Sequence, residues 1–524
     1  MHADNAPASE SELQGRVLEF LDNVCFAAAR GGKRIDTHAS VVFLGGDRAF
    51  KIKRAIQLPF LDYSTLGKRK LACEEELKVN ASNAPELYRR VVAITRGSDA
   101  AFEIGGSGVP VEWAVEMTRF DEAQTLDCIA EARIIETPIA VAVAETILQS
   151  HDKAPRSNGE TWLASIAGII ARNTARFREV RGLEPADIDQ LDTRSHDHVA
   201  KQGSLLAQRA GLGFVRHCHG DLHLANIALV YGKPLLFDAI EFDPAIATTD
   251  VLYDLAFVLM DMIHFGNAAA ANAVFNHYLA GAAEQNLKGL AVLPLFLSMR
   301  AAIRAHVLFT KSEQMTDGGA VGRHAKRYFD LALDFVVPKP PRLIAIGGGS
   351  GTGKSVLARA LAGIVDPPPG AVIIRSDVVR KRLFAVSETT ALPEAAYRDE
   401  TSQLVYDLLS DIASSLLAQG CSVILDAALL RESQRVGLPD LARKHHALFV
   451  GLFLTANLTT RLSRIEHRRH DASDATREVA RQQEIAAVSA VDWTMIDASG
   501  TPDDTLRRSI ARVATPGLLQ DRSR

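Results

Sequence analysis

Residues 343–361, LIAIGGGSGTGKSVLARAL, restrict the fold of this chain more than any other stretch. A short apolar run leads into a stretch dominated by glycine, and an apolar-periodic run with good helix formers follows. The order reads strand, glycine loop, helix. Glycines let the backbone wrap closely around an anion and present its N–H groups at a helix N-terminus. Gly348, Gly353, Lys354 and Ser355 give G-x-x-x-x-G-K-S, a complete P-loop in its proper context. That motif assigns Gly348, Gly349, Ser350, Gly351, Thr352 and Gly353 to the phosphates of ATP, Lys354 to the β/γ-phosphates and Ser355 to Mg²⁺. It belongs to an α/β domain with a parallel sheet.

A second stretch, His217 to Ile227, reads HCHGDLHLANI. His219, Asp221 and Asn226 stand as H-x-D-x-x-x-x-N, and Asp238 in LLFDAIEF follows twelve residues after the Asn. The spacing is that of a protein-kinase-like catalytic loop and its metal-binding Asp. Phosphoryl transfer from ATP has a charged, loose transition state. It needs metal ions on the phosphates and a carboxylate to take the acceptor hydroxyl's proton. Asp221 suits the base, and Asn226 and Asp238 supply oxygens that suit hard Mg²⁺.

At 524 residues the chain has room for roughly three domains or lobes of about 150 residues each. With 47% hydrophobic and 23% charged residues it has the composition of an ordinary soluble globular protein. A net charge of −4 gives no bulk attraction to nucleic acid or to an acidic membrane. Five scattered cysteines without a CxxC pair argue against a disulfide framework and a zinc site, and for a reducing cytoplasm. The N-terminus is polar and acidic, unlike a secretory signal. No apolar run reaches the ~20 residues of a membrane span, and VLYDLAFVLMDMI, carrying Asp254 and Asp261, reads as a buried helix.

With its HGD…N loop the N-terminal half resembles the aminoglycoside-phosphotransferase branch of the kinase-like superfamily, which implies a bilobal α+β fold. In SVVFL, a Gly45-Gly46-Asp47 turn and RAFKIKR, read as a β-hairpin, Ala49, Lys51 and Lys53 share one face. Ala49-x-Lys51 resembles the nucleotide-facing pair of the third kinase strand. Lys51 is therefore assigned to the α/β-phosphates with Lys53 as its understudy, against a plain solvated face. Glu76 on the following helix is chosen to hold that lysine, and Glu74 and Glu75 fit an acidic solvent face. EMTRF resembles the crossing to the large lobe. The GxGxxG loop of kinases is missing, and Thr37 to Ser40 stand in its place. His151-Asp152 reads as a capping or surface pair. Asp250 and Asp254 match the D-x-x-x-D-L-A stretch of these phosphotransferases, where the second Asp braces the catalytic loop. Glu241 is placed near the metals. Arg300 and Arg304, four apart on one helical face, suit an anionic acceptor, though a solvated basic face fits them better.

Pro338, Pro340 and Pro341 form a stiff connector. Beyond it, Asp377-x-x-Arg380 resembles the acceptor-binding motif of small P-loop kinases such as those for gluconate or adenylylsulfate, and of the zeta-toxin group. Asp377 would orient or deprotonate the hydroxyl and Arg380 would anchor an anionic group, against a helix-capping role. Asp426 at the end of SVILD stands where a P-loop fold places its second carboxylate, which holds Mg²⁺ through water or contacts substrate. Arg461, Arg464, Arg468 and Arg469 resemble an arginine-bearing lid, with Arg464 and Arg468 ranked first. The expected division is a small lobe at 1–120, a helical lobe at 121–336, a connector at 337–341, a P-loop kinase domain at 342–515 and a polar tail at 516–524. The resulting expectation is a protein with two ATP and Mg²⁺ sites, each transferring a phosphoryl group to a small-molecule hydroxyl, the acceptor anionic in one version. Two alternatives stay open: a nucleotide-sensing N-terminal half regulating a P-loop ATPase or toxin-like kinase, and a polynucleotide 5′-hydroxyl kinase.

Overall fold

The computed structural model describes residues 10–27, 32–58, 61–467, 472–485 and 492–513. By contact the chain forms two compact units. The first comprises Met1–Ile135, Glu145–Gly168 and Leu206–Asp261; the second comprises Glu136–Ala144, Ile169–Leu205 and Met262–Arg524. The stretch expected as one helical lobe, 121–336, is thus shared between the units.

The first unit begins with helix α1 (Glu10–Ala27) and strands β1 (Lys33–Asp36), β2 (Ser40–Gly45) and β3 (Arg48–Lys53). Helix α2 (Leu66–Ala81) follows, then β4 (Tyr88–Arg96), β5 (Phe102–Ile104) and β6 (Val109–Thr118). The six strands form an antiparallel sheet in the order β1-β2-β3-β6-β4-β5. Gly46, at φ +60°, turns the β2–β3 hairpin. Strand β3 is covered on both faces, which alternation alone cannot reveal. Phe50 and Ile52 pack with Val17 and Leu21 of α1, while Lys51 and Lys53 reach Glu76 on α2. The lysine face is therefore buried, not solvated. Thr65 caps α2 by accepting the Lys68 N–H, and Glu74 on the outer face is exposed.

Later in this unit β7 (Val215–His217) pairs with β10 (Thr248–Asp250), and β8 (Ile227–Val230) pairs with β9 (Lys233–Leu236) as a hairpin. Helix α3 (Val251–His264) is the apolar helix expected from VLYDLAFVLMDMI.

In the second unit, α4 (Ala268–Gly281), α5 (Leu293–Gln314) and α6 (Gly319–Val336) precede a P-loop sheet. That sheet unit runs β11 (Arg342–Gly348), α7 (Lys354–Ala362), β12 (Val372–Arg375), α8 (Ser376–Leu383), α9 (Asp399–Ala418), β13 (Val423–Asp426), β14 (Leu448–Thr455), α10 (Leu458–Glu466), α11 (Arg477–Ile485), β15 (Thr494–Asp497) and α12 (Pro502–Val513). The strands are all parallel, in the order β12-β13-β11-β14-β15. Strand β11 is buried along its whole length, and Ile344, Ile346, Leu357 and Leu361 join β11 to α7 in one core. Each such side chain contributes about 1.5–3 kcal/mol by leaving water.

Helix α4 joins this sheet through polar side chains. Asn272 donates to the Pro369 and Ala371 carbonyls (3.1 and 3.0 Å). Asn276 donates to Ala371 O (3.1 Å) and accepts the Ile373 N–H (2.8 Å), so one amide serves edge strand β12 as a neighbouring strand would. Apolar periodicity carries no trace of such bonds.

Two further expectations need correction. Arg300 is buried and Arg304 lies over the Tyr328 ring of α6, 5.9 Å from its centroid, so this pair is not a solvated face. Also, the stretch Glu284–Gln314 is long and apolar enough to cross a membrane by length and composition, although 67% of its most apolar window is buried inside the protein. The arginines within it had masked its apolar length.

Candidate active sites

In the first unit the sheet brings Lys51 to α2, where its Nζ lies 2.8 Å from Glu76 Oε1 and also touches Asp238. Lys53 Nζ lies 2.6 Å from Glu76 Oε2 and touches Glu241, whose carboxylate accepts the Tyr63 hydroxyl (3.1 Å). Glu76 is fully buried and Lys53 is nearly so. Burial alone would push Glu76 up, but the two ammonium groups hold it below the ordinary glutamate value. Burial would lower Lys51, and Asp238 and Glu76 raise it well above the usual lysine range. Both lysines are therefore charged, and Glu76 spans them. Lys53 takes part in the site as fully as Lys51.

The residues of the His217 to Ile227 loop and Asp238 are fixed by backbone geometry. The β8–β9 hairpin pairs Ile227 with Leu236, and Phe237 N–H donates to Asn226 O (3.0 Å), so Asp238 emerges beside the loop. Asp238 sits at φ +61°, a conformation costing about 1–3 kcal/mol for a residue with a Cβ. Two bonds over-determine it: its own N–H to the Tyr88 hydroxyl (3.1 Å) and the Ala239 N–H to buried Asn80 (2.8 Å). Partial burial lifts its carboxyl, whose outer side stays open, and the Lys51 ammonium more than offsets this, leaving Asp238 below its ordinary value.

Asn226 Nδ2 donates to the Asp221 carbonyl (2.9 Å) and carboxylate (3.3 Å), which leaves Asn226 Oδ1 available on its other side. Asn226 Oδ1 and the 44%-exposed Asp238 carboxylate are both oxygen donors of the kind Mg²⁺ takes. Asp221 is itself partly exposed, with His223 Nε2 3.4 Å away.

Asp254 accepts the His219 and Gly220 N–H groups (3.3 and 3.0 Å), and Asp261 accepts that of Leu224 (3.0 Å), so α3 braces the loop through two buried carboxylates. His151 is buried with its ring 3.3 Å from Asp254, not on the surface as expected. His219, expected among the catalytic residues, is also buried. Its Nε2 lies 2.9 Å from Phe237 O, and since a carbonyl only accepts, that nitrogen carries the proton. Burial holds its pKa below the ordinary histidine value and so favours the neutral ring. Thr37 and Ser40 close a tight turn in which Thr37 N–H donates to Ser40 O and Ser40 N–H to Thr37 Oγ1 (both 2.9 Å).

In the second unit the glycine loop joins β11 to α7 as expected. Gly348, Gly351 and Gly353 have φ of +136°, +82° and +94°. A Cβ on Gly351 would lie 2.6 Å from Arg461 O, so both conformation and space require glycine there. Lys354 Nζ reaches back over the loop to Gly348 O (3.0 Å) and Gly349 O (3.1 Å). The loop borders a cavity of about 590 Å³ whose lining includes Ser350 to Ser355, Asp377, Arg380, Asp426 and Arg464.

Strand β12 delivers Asp377 to this cavity in the first turn of α8. That helix has Arg375 at its N-cap with no side-chain capping bond, so Asp377 and Ser376 do not serve as caps. Burial lifts Asp377 above the ordinary aspartate value, against the Lys354 ammonium and with help from the Asp426 carboxylate. Arg375 touches both Asp426 (3.2 Å) and Ser355 Oγ (3.3 Å), so one cation can span these two oxygens, and the pair fits Mg²⁺. Arg380 lines the cavity with its guanidinium bonded to Ala396 O and 4.9 Å from the Tyr397 ring centroid.

Of the four arginines expected in a lid, Arg461 is buried and grips the loop. It donates to Ser350 O (2.9 Å) and Ala480 O (3.1 Å) and pairs with Glu484 (2.6 Å). Arg464 donates to Thr352 O (3.4 Å) and Gly500 O (2.9 Å). Arg468 and Arg469 lie outside the described residues. Sequence reasoning missed Arg375, Tyr397, Gln483 (which accepts the Ser350 N–H at 2.7 Å), and Asp474, held by buried Lys381 through both carboxylate oxygens (2.7 Å). None of these belongs to a spaced motif. Arg375 alone ends an apolar run, AVII, and the other three carry no such local signal.

Residues 343–487 match the family model described as an AAA domain. Among solved structures, a gluconokinase from Sinorhizobium meliloti 1021 aligns at 19% identity and TM-score 0.25, covering 33% of this chain and 91% of that one. A choline/ethanolamine kinase family protein from Mesorhizobium loti aligns at 14% identity and TM-score 0.37, covering 62% of this chain and 99% of that one. Along nearly its full length the chain is 30% identical to the uncharacterized protein Rv2004c of Mycobacterium tuberculosis (strain ATCC 25618 / H37Rv), over 473 residues that cover 87% of this chain and 90% of the relative. The chain therefore belongs to the family of Rv2004c, and in it a buried lysine–carboxylate cluster beside the His217 to Ile227 loop accompanies a parallel-sheet P-loop domain.

Proposed function

We propose that this protein is an ATP- and Mg²⁺-dependent phosphotransferase with two kinase-type sites, each moving the γ-phosphoryl group of ATP to a hydroxyl of a small molecule. The observation that carries the reading is the same division of labour in both units. The likeness is supported by a comparable set of groups in each, a lysine that would meet phosphates, two oxygens that would suit a metal and a further carboxylate that would serve the acceptor: Lys51, Asn226, Asp238 and Asp221 in one, Lys354, Ser355, Asp426 and Asp377 in the other.

In each transfer the acceptor oxygen bonds to the γ-phosphorus, the bond to the ADP oxygen breaks, and the acceptor's proton passes to the carboxylate. Glu76 keeps Lys51 fixed for the α/β-phosphates. The raised pKa of Asp377 makes it a stronger base than an ordinary aspartate. Bound Mg²⁺ would neutralise phosphate charge as it develops. For the second site, Arg380 over Tyr397 supports an acceptor that carries an anionic group.

The test incubates the full chain and γ-labelled ATP with a metabolite extract and with RNA, and identifies what gains phosphate. Asp221→Asn should abolish one product and Lys354→Ala another. If Asp221→Asn leaves every product intact, the first unit is not a kinase. The self-closed Thr37–Ser40 turn favours a second reading in that event, since its amides are committed to its own oxygens and the first unit would then sense nucleotide. Labelled RNA alone would point to a polynucleotide kinase.

A further inference from the structure

The second unit holds another cavity, of about 490 Å³, that the phosphoryl-transfer reading does not use. Helix α7 separates it from the nucleotide cavity, and Ser355, Val356, Arg359 and Ala360 line both. Helix α4 forms the facing wall through Ala273, β12 and α8 contribute further apolar side chains, and Ile412 of α9 completes it. A space of this size lies within the roughly 300–1,000 Å³ typical of small-molecule sites. Empty apolar space forfeits dispersion contacts on every wall.

The lining is mainly aliphatic. Of its arginines, Arg359 and Arg382 are exposed and Arg375 is half-buried, and its single carboxylate, Glu388, is exposed. Arg382 donates to Ala280 O at the end of α4 (3.3 Å), a neutral partner that leaves its charge uncompensated by that bond. Val356 is 45% exposed although it lies one residue past the P-loop serine, so apolar surface of α7 itself is open to an occupant. Arg375 also lines this cavity, and it is the residue that touches both Ser355 Oγ and Asp426.

We propose that this cavity is a second small-molecule site, selective for an amphipathic anion with its apolar body inside and its charge at the exposed arginines, and thermodynamically linked to nucleotide bound at the P-loop. The linkage follows from the shared wall. An occupant bears on α7 and Arg375, so it shifts nucleotide affinity, and nucleotide must shift occupant affinity by the same factor. Only this linkage rests on the P-loop reading above.

The test titrates the full chain with 8-anilinonaphthalene-1-sulfonate, an apolar ring system carrying one negative charge, and with its uncharged counterpart N-phenyl-1-naphthylamine. Saturable binding of the sulfonate is expected, weakened about tenfold or more by Ala273→Trp and by Ile412→Trp, which fill the space from different walls. Arg382→Gln should weaken the sulfonate and spare the neutral probe. Mant-ADP affinity should change when the sulfonate is saturating. Wild-type sulfonate binding by both tryptophan variants, with circular dichroism unchanged, overturns the site. Equal loss of both probes in Arg382→Gln overturns the anion class, and an unchanged mant-ADP affinity overturns the linkage. Failure of the wild type to bind mant-ADP at all would refute the P-loop reading instead, and the probe titrations would still decide the cavity.

Discussion

Glu76 offers the sharpest quantitative test of how the first unit is held together. Its fully buried carboxylate spans Lys51 (2.8 Å) and Lys53 (2.6 Å). Replacing it by glutamine keeps the shape and removes the charge between two cations. Breaking a buried pair typically costs about 3–5 kcal/mol, because the partner is left uncompensated. Here compensation is partial, since Lys51 keeps the exposed Asp238 and Lys53 keeps Glu241. The lower end, about 3 kcal/mol, is therefore expected. Glu75→Gln is the control. Its partner Lys78 is exposed one turn away, and such pairs contribute only about 0.2–0.5 kcal/mol. Urea denaturation in a Trp493→Phe background would follow Trp113 and Trp162, both in the first unit, and report the change as a shift in midpoint. The sign with pH is fixed. Glu76 lies below its ordinary pKa when folded, so its contribution is full above the ordinary glutamate range and is lost as pH falls through the lowered folded value. Equal midpoint shifts for Glu76→Gln and Glu75→Gln at neutral pH would refute the argument.

Gly351→Ala forces a Cβ into φ +82° and to 2.6 Å from Arg461 O, so mant-ADP binding should be lost and melting lowered by the equivalent of about 1–3 kcal/mol or more. Asp377→Asn should abolish the P-loop-dependent transfer yet stabilise the fold. A raised folded pKa means that ionisation opposes folding, so the gain appears in melting curves at neutral pH and shrinks as pH falls into the aspartate range. Asp254→Ala removes the acceptor of two catalytic-loop N–H groups, and a loss of about 1–3 kcal/mol per orphaned group should show in denaturation of the first unit, together with loss of the Asp221-dependent product.

The sequence alone determined what spacing along one backbone segment can determine. Gly348 to Ser355 had to form a strand–loop–helix anion cradle, because only that local path satisfies so many glycines before an apolar-periodic helix. Asp221, Asn226 and Asp238 were legible for the same reason, being joined through a short hairpin. Tertiary structure decided everything that depends on which faces meet. The lysine face of β3 became buried because α2 brings Glu76 over it, and β12 became attached to α4 because two asparagines complete its edge. Arg300 went inside, Arg304 came to lie over the Tyr328 ring of α6, and Arg461 became a grip on the P-loop. Each of these outcomes rests on a polar group meeting a partner more than 20 residues away in the chain. Hydrophobic period and motif spacing describe the local backbone; only the family resemblance pointed to Glu76 as the partner of Lys51, and the other bonds across the fold leave no mark in either.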